Sequence, residues 1–462
     1  MPRPRFSLFI LTVPLLAIGA IARAEPDQSQ LRREIDALKA EVADLRQQAG
    51  RNWLDERRRE EIKLLVHEVL ADAEQRRSLA GGGLVAGHDG SHFFLAAEDN
   101  SFLMEISGQL QFRWILNSNN VTVGGTGDEE DEGFQARRTK VGFAGHVDAG
   151  RKWEYKLVIE ASRSDGSTGI EDAVIKTALS EDWKIGFGKY KLPFLRENLT
   201  SSRRQLAVDR GLVTEFFSVD RSEQVTLEYS GSAMKAVFSI NDGADEEFST
   251  IGADPVEIAV TGRVDFALAG SLKQIKDFSA WDGEPVGLFL GAAFHYQEGD
   301  GENADNSSES DADYFAYTVD GSVEADGKAL YAAWMSGHIN VDGDPSGPMV
   351  PAGVVDRDMQ GLLVQASAFV IPDTLEPFLR FEWLDDDVNS EATFFTFGAN
   401  YYFKKHNAKW TTDIVYVADI DDVGGVTTNP FGDSIFSDGL GFSGDGVRDD
   451  TFLIRSQLQL LF

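Results

Sequence analysis

Sixteen segments in which apolar and polar residues alternate follow one another from residue 101 to residue 462. In the first of them, SFLMEISGQLQFRWIL at 101–116, one parity is almost wholly apolar and the other almost wholly polar. Because successive side chains of a strand point to opposite faces, each segment predicts a β-strand with one apolar and one polar face. We predict strands near 102–116, 134–147, 152–162, 170–179, 183–191, 223–230, 233–241, 256–268, 285–297, 313–323, 327–340, 358–371, 375–385, 392–404, 408–418 and 450–462.

The connections between the predicted strands alternate between long and short. The long connection 117–133 is followed by the turn DAGR, for example, and only 269–284 interrupts the alternation. A soluble sandwich would also have one apolar face, but it gives no reason for loop length to alternate by side. An even number of strands, with short turns on one side and long loops on the other, is typical of an outer-membrane barrel. The sequence therefore predicts an all-β fold, a 16-stranded antiparallel transmembrane β-barrel over 101–462, whose apolar parities face lipid.

Aromatic residues support this prediction. Several lie on apolar parities near predicted strand ends, as the interfacial girdles of membrane barrels do. Packing in a soluble core is the alternative for each of them taken alone. The set is Trp114, Trp153, Trp183, Phe397, Tyr401, Phe403, Trp410 and Tyr416. The final residue, Phe462, also lies on an apolar face and resembles the assembly signal of outer-membrane proteins.

The first residues predict export. Arg3 and Arg5 precede the apolar run FSLFILTVPLLAIGAI, and ARA at 22–24 has the small residues of a cleavage site. A spanning helix needs roughly 20 apolar residues, so a signal peptide over 1–24 is the better interpretation. We therefore predict a protein of the cell outer membrane with a periplasmic N-terminal segment.

A helix with a heptad seam is predicted over 25–78. Its apolar residues are spaced by four and three positions: Leu31, Ile35, Leu38, Val42 and Leu45. Such a seam does not bury itself alone, which favours self-association as a short periplasmic coiled coil. An amphipathic helix lying on the folded body is the alternative. The stretch GGGLVAGHDG at 81–90 then predicts a flexible Gly-rich linker over 79–100.

Composition excludes several classes of function. The chain has no cysteine, which excludes disulfides and thiolate metal sites. It also lacks the common catalytic and phosphate-binding motifs, and its seven histidines are scattered. We therefore predict no enzymatic activity, no cofactor and no metal site. The net charge of -33 argues against a nucleic-acid partner.

One window departs from the acidic balance: residues 137–235 hold 17 Lys+Arg against 14 Asp+Glu. A charged group that faces the bilayer midplane costs about 2–4 kcal/mol, so the basic side chains of strands are predicted to face the lumen. This gives a basic lumen wall of Arg113, Arg138, Lys140, Lys156, Lys176 and Lys184. The connection 192–222 is too apolar and too basic for an outer loop, and we predict that it folds into the lumen. Its arginines would then lie at the pore constriction; they are Arg196, Arg203, Arg204, Arg210 and Arg221.

The sequence resembles the phosphate-selective porin O and P family over roughly residues 84 to 462. The resemblance is strongest in GKYKLPFLRENLTSS at 188–202, with support from FQARRTKVGFAG, IEDAVIKT and SFLMEISGQLQFRW. The residues that match the motif leading into the third loop are Gly188, Lys191, Pro193, Phe194 and Glu197. The resemblance implies a trimeric barrel whose third loop narrows the pore and whose basic residues attract anions.

Two functions of different classes follow. The first is a passive porin, a homotrimer in outer-membrane lipid that conducts small solutes, with a preference for anions such as phosphate. Residues 236–462 hold 11 Lys+Arg against 40 Asp+Glu, so a general or cation-preferring porin is a variant of this hypothesis. The second is a structural anchor in which the coiled coil contacts peptidoglycan and ties the barrel to the cell wall.

Overall fold

The computed structural model describes residues 37, 39–41, 83–90, 92–119, 129–163, 166–244, 256–299, 310–343, 356–387, 390–420, 429–431, 434–437, 439–442, 447 and 450–462. The chain divides into two compact units, Met1–Gly82 and Gly83–Phe462. In the first unit, residues 37 and 39–41 are helical and exposed. The predicted signal peptide and the rest of the predicted coiled coil lie outside the described residues.

Antiparallel strands form a closed barrel in the second unit. Two short strands, β1 (Leu84–His88) and β2 (Phe93–Ala97), come first. The barrel strands are β3 (Phe102–Asn119), β4 (Glu129–Asp148), β5 (Lys152–Ala161), β6 (Thr168–Ala178), β7 (Trp183–Lys191), β8 (Arg221–Ser230), β9 (Met234–Asn241), β10 (Val256–Ala269), β11 (Gly287–Gly299), β12 (Ser310–Ala325), β13 (Lys328–Gly343), β14 (Arg357–Ala368), β15 (Leu375–Asp386), β16 (Ser390–Lys404), β17 (Ala408–Ile420) and β18 (Phe452–Leu461). Each pairs with the next, and β18 pairs with β3, which closes the sheet. The predicted 16-stranded barrel is confirmed, with every strand near its predicted position.

The predicted flexible linker over 79–100 is wrong for most of its length. Strands β1 and β2 form an antiparallel hairpin there, and β2 continues along β3 between Leu103 and Ile106. Strand β18 pairs with β3 from Gln109 to Ser118, so the hairpin takes the part of the β3 edge that β18 leaves unpaired. The glycines of this stretch predict a loop. The hairpin forms instead because the edge of β3 supplies hydrogen-bond partners for its backbone, and the local sequence pattern does not reveal such partners.

The two faces of each barrel strand differ in exposure as the alternation predicts. In β3 the outward Leu110 and Phe112 are 42% and 53% exposed, whereas the inward Gln111 and Arg113 are 2% and 0% exposed. Apolar side chains therefore cover the outer surface, as a membrane barrel requires. Predicted girdle residues lie on this surface beside the short turns 179–182 and 405–407; they are Trp183, Tyr401, Phe403 and Trp410. Within the described residues, no helix has the length and apolarity to cross a membrane.

The last residue completes the closure of the barrel. Phe462 and Gly108 exchange backbone hydrogen bonds of 2.6 and 3.2 Å. The phenyl ring of Phe462 lies over Gly108 and occupies the space that a Cβ atom would need there. The small residue in β3 therefore accommodates the C-terminal aromatic ring.

Within the part of the chain that the structure describes, three connections fold into the barrel and pack against the inner faces of β11–β18. The connection from β7 to β8 contains helices α1 (Arg196–Leu199) and α2 (Leu212–Phe216), and we call residues 192–220 the lumen loop. The connection from β10 to β11, residues 270–286, places Phe278 4.9 Å from Tyr331 between ring centroids. In the connection before β18, Phe436 lies 6.1 Å from Phe394. Together these connections form an apolar core inside one half of the barrel.

Candidate pore

A β-bulge in β4 turns two consecutive arginines toward the lumen. Gln111 of β3 pairs with Arg138, but the next residue, Phe112, pairs with Ala136, so Arg137 is an extra residue in β4. Strand alternation would place Arg137 and Arg138 on opposite faces, whereas a bulge redirects one side chain. Both arginines line the same internal cavity.

A second bulge, in β6, turns two consecutive carboxylates inward. Val158 of β5 pairs with Asp172 and Ile159 pairs with Ile170, which leaves Glu171 as the extra residue. Arg221 binds both acids: its Nε lies 2.9 Å from Asp172, and its Nη2 lies 2.5 Å from Glu171. Lys140 is 2.6 Å from Glu171. Arg221 and Lys140 are thus held in place by the adjacent carboxylates of Glu171 and Asp172.

Asp209 of the lumen loop binds three arginines of the barrel wall. Its carboxylate lies 2.5 Å from Arg113, 2.8 Å from Arg138 and 3.4 Å from Arg137, and it is 1% exposed. Burial alone would raise the pKa of Asp209, but Arg137, Arg138 and Arg113 together hold that pKa well below the usual range of an aspartate. The loop is therefore attached to β3 and β4 by the ion pairs of one buried carboxylate.

The lumen loop is also attached to strands on the other side of β18. Glu197 pairs with Arg380 of β15 at 2.7 Å, and the backbone N–H of Val208 donates to Asp413 of β17 at 2.9 Å. Lys409 of β17 donates to the carbonyl oxygen of Gln205 at 2.7 Å. The loop thus contacts β3 and β4 on one side of β18 and β15 and β17 on its other side.

A cavity of about 640 Å³ lies between the lumen loop and the inner faces of β3–β10. Among the described residues, its lining includes eleven Lys or Arg and eight Asp or Glu, which gives a local charge of +3. The cations are Arg137, Arg138, Lys140, Lys156, Lys176, Lys191, Arg203, Arg210, Arg221, Lys235 and Arg263. The acids are Glu154, Glu160, Glu171, Asp172, Glu215, Asp220, Glu228 and Asp265. The wall of the cavity is therefore strongly charged and net basic, in a chain of net charge -33.

A second cavity, of about 400 Å³, lies between the lumen loop and the connection before β18. Arg210, Glu215 and Asp220 line both cavities. The rest of its described lining is mostly neutral and polar, with Asn429, Ser434 and Ser437 among its members. The two cavities are therefore neighbours that share part of the lumen loop as a wall.

The structure divides the predicted basic residues into those that line the larger cavity and those that do not. The lining group is Arg138, Lys140, Lys156, Lys176, Arg203, Arg210 and Arg221. The group outside it is Arg113, Lys184, Arg196 and Arg204. Arg113 is fully buried against Asp209, and Arg196 is 4% exposed and donates to Ser322 at 2.5 Å. Lys184 lies near the short turn 179–182 and pairs with Glu154 at 2.7 Å.

The residues of the predicted motif at 188–197 shape the start of the lumen loop. Gly188 has φ +119°, and a Cβ atom there would lie 2.0 Å from the carbonyl oxygen of Ala173. Lys191 donates to the carbonyl oxygen of Asn198, and Pro193 lines the cavity. Phe194 is 1% exposed, and Arg263 donates to its carbonyl oxygen at 2.8 Å. These contacts, with the Glu197 pair, fix the path of the chain into the lumen.

Several residues of the site were missed by the sequence-based argument. They are Arg137, Asp209, Arg263, Arg380, Lys409 and Arg455. Four of them occupy inward positions of regular strands: Arg263 on β10, Arg380 on β15, Lys409 on β17 and Arg455 on β18. Strand alternation could therefore have identified these four, but it was applied to basic residues of the first five strands only. Arg137 depends on a bulge and Asp209 on loop packing, and no local pattern predicts either.

A closed barrel with an apolar exterior and a charged internal passage is an outer-membrane channel of the porin class. A family model described as phosphate-selective porin O and P matches residues 109–418. The fold is similar to an anion-selective porin from Comamonas acidovorans, with TM-score 0.53 and 15% identity over 78% of this chain and 99% of that one. The trimer form of in-vitro folded OmpT from Vibrio cholerae has TM-score 0.51 and 10% identity over 78% and 99%. An uncharacterized protein of Aquifex aeolicus is 24% identical over 305 residues, which cover 61% of this chain and 70% of that relative.

The chain belongs to the phosphate-selective porin O and P family. The resemblance inferred from the motif at 188–202 is thereby confirmed. Membership places the protein among channel-forming proteins of the outer membrane.

Proposed function

We propose that the protein is a passive porin that conducts small solutes and prefers anions, phosphate among them. The observation that carries this proposal is the +3 charge of the described cavity lining. Rings of Arg and Lys select anions in pores. Of the 76 acidic residues of the chain, 40 lie in residues 236–462, and of these only Asp265 belongs to the described lining of the cavity. At physiological salt the Debye length is about 8 Å, so distant loop carboxylates act weakly on an ion inside the passage.

We also propose that the lumen loop narrows the pore. The loop contacts β3 and β4 through Asp209, and β15 and β17 through Glu197 and Val208. Its apolar side chains pack into the core on the β11–β18 side. Solutes would therefore pass between the loop and the β3–β10 wall, beside Arg203, Arg210 and Arg221.

The reversal potential under a KCl gradient across a planar bilayer tests the anion preference. The wild type is expected to prefer chloride, and Arg203→Gln, which removes a cation of the cavity lining, is expected to reduce that preference. Arg204→Gln is the matched control, because its side chain belongs to the same 3₁₀ turn but does not line the cavity. Cation preference in the wild type, or equal effects of both substitutions, would refute the proposal. The phosphate concentration that halves the chloride current then tests whether phosphate enters the same passage.

The assembly proposed is a homotrimer in outer-membrane lipid. It is supported by the similar fold of a porin whose structure is described as a trimer form. The periplasmic coiled coil over 25–78 and its contact with peptidoglycan stay predictions from the heptad seam. Sedimentation with purified peptidoglycan, with and without residues 28–75, tests the anchoring role.

A further inference from the structure

We infer that the passage is adapted to organic anions that carry an apolar body, a narrower class of solute than small anions in general. This inference rests on the anion preference proposed above. The structural basis is a set of apolar side chains in the lining of the larger cavity: Val158, Val174, Pro193, Leu199 and Val237.

Three of these residues face inward from the barrel wall. Val158 lies on β5, Val174 on β6 and Val237 on β9, all on inward parities. The interior of a water-filled membrane barrel is normally polar, so inward valines at the passage are unexpected. Inward apolar residues on the other half of the barrel have a packing role, because Leu363, Phe394 and their neighbours are fully buried against the three inserted connections.

Three of the five apolar residues at the passage are not covered in this way, whereas Val174 and Pro193 are buried. Leu199, the last residue of helix α1, is 37% exposed although it lies inside the barrel. Val158 and Val237 are half-buried and lie outside the apolar core of the described residues. Exposing apolar surface to water is unfavourable in proportion to its area, and a solute with an apolar body would cover part of this surface as it passes.

The cations lie next to the apolar side chains. Lys156 lies two residues before Val158 on the inward face of β5, and Lys235 lies two residues before Val237 on the inward face of β9. Residues two positions apart on a strand share a face and lie about 7 Å apart along it. A solute whose anionic head lies at a lysine would therefore place the adjoining carbons over a valine. Inorganic anions have no group that uses the apolar part of this wall.

Two sulfonates of equal charge and equal carbon-chain length separate this inference from general anion selectivity. Butanesulfonate and its terminal hydroxy derivative differ by one hydroxyl group, and both stay ionised at neutral pH. We expect butanesulfonate to halve the chloride current of wild-type channels at a concentration about threefold lower than its hydroxy derivative, since burying one CH₂ group is worth roughly a fourfold change in affinity.

The variant Val158→Thr/Val237→Thr/Leu199→Ser removes apolar surface without changing charge, and the ratio of the two half-blocking concentrations is expected to fall toward one. The control Val141→Thr alters an outward valine on β4 that is 41% exposed on the outer surface, and it should leave the ratio unchanged. Leu199→Ser alone, at an exposed loop position, is the second variant if the triple variant does not fold. A ratio near one in a chloride-preferring wild type would overturn this inference alone. Cation preference of the wild type in KCl would overturn both this inference and the proposed function.

Discussion

Glu197 Oε1 accepts a hydrogen bond of 2.7 Å from Arg380, and both side chains are at most 2% exposed. Glu197 lies in helix α1 of the lumen loop and Arg380 on β15, so this pair joins the loop to the wall that lies away from the cavity. The second carboxylate oxygen of Glu197 accepts from the hydroxyl of Thr214 and, at 3.2 Å, from the backbone N–H of Gly211. One side chain thus connects the wall with both helices of the loop.

Glu197→Gln is expected to destabilise the lumen loop strongly. The substitution leaves the Arg380 cation buried without its partner, and breaking a buried ion pair costs about 3–5 kcal/mol. Hydrogen exchange of the backbone amides at 195–217 should become faster, and single-channel current noise should rise. Asp373→Asn is the control: it removes a surface pair with Lys405 at 3.9 Å, and such pairs contribute about 0–1 kcal/mol. Equal exchange rates in the two variants would contradict the role assigned to Glu197.

Asp209→Asn is expected to make the channel more anion-selective, because it removes the negative charge shared by Arg137, Arg138 and Arg113. The pKa of Asp209 is held well below that of an ordinary aspartate, which is about 3.9. Its stabilising ion pairs are therefore complete above about pH 4 and are lost as the pH falls through the lower native pKa.

The difference in reversal potential between wild type and Asp209→Asn should accordingly stay constant from pH 8 to pH 5. It should shrink only in acid well below pH 4. A difference that declines between pH 7 and pH 5 would mean that Asp209 titrates like an ordinary carboxyl group and that the three arginines do not hold it ionised.

The strands of this barrel were predictable because their signal is local. Apolar and polar residues alternate along each segment. This alternation also assigns Gln111 and Arg113 to the lumen and Phe112 to the outer surface. The hairpin β1–β2 was missed because its stability depends on the edge of β3, which is remote from the glycines that suggested a linker. The local sequence pattern therefore predicted the barrel strands but not the hairpin β1–β2, whose pairing depends on β3.

The candidate site was only partly predictable. Parity placed Arg138 and Lys140 inside the barrel correctly, but it gave no signal for Arg137, because a bulge depends on the register with β3. The basic composition of the connection 192–222 predicted its arginines together at the pore constriction, whereas Arg196 and Arg203 lie in different surroundings. Which charges face a passage and which hold a loop is decided by tertiary packing, and a sequence window does not contain that information.

Gly188→Ala is expected to impair folding of the barrel. The residue has φ +119°, a region that L-residues rarely adopt, and its new Cβ would lie 2.0 Å from a backbone oxygen of β6. The fraction of protein that refolds in detergent to a compact, heat-modifiable band on unheated gels measures the effect. Gly169→Ala is the matched control, since no atom lies within 4 Å of a Cβ at that position of β6. Similar refolded fractions for both variants would show that the backbone at Gly188 relaxes easily.

Arg196→Met separates the structural arginines of the lumen loop from those that face the passage. Arg196 is 4% exposed, donates to the carbonyl oxygens of Ile275 and Asp277 at 3.3 and 3.4 Å, and lies 5.3 Å from the ring centroids of Phe278 and Tyr331. It thereby connects the lumen loop with the inserted segment 270–286. Methionine fills similar space but leaves these acceptors unpaired, at a cost of about 1–3 kcal/mol each.

For Arg196→Met we expect a lower unfolding temperature and faster hydrogen exchange in 270–286, with the chloride preference in KCl unchanged. Arg203→Gln should show the reverse, a reduced chloride preference at unchanged stability. If Arg196→Met shifted the reversal potential as much as Arg203→Gln, Arg196 would act on permeating ions, and the division of the loop arginines into two groups would be wrong.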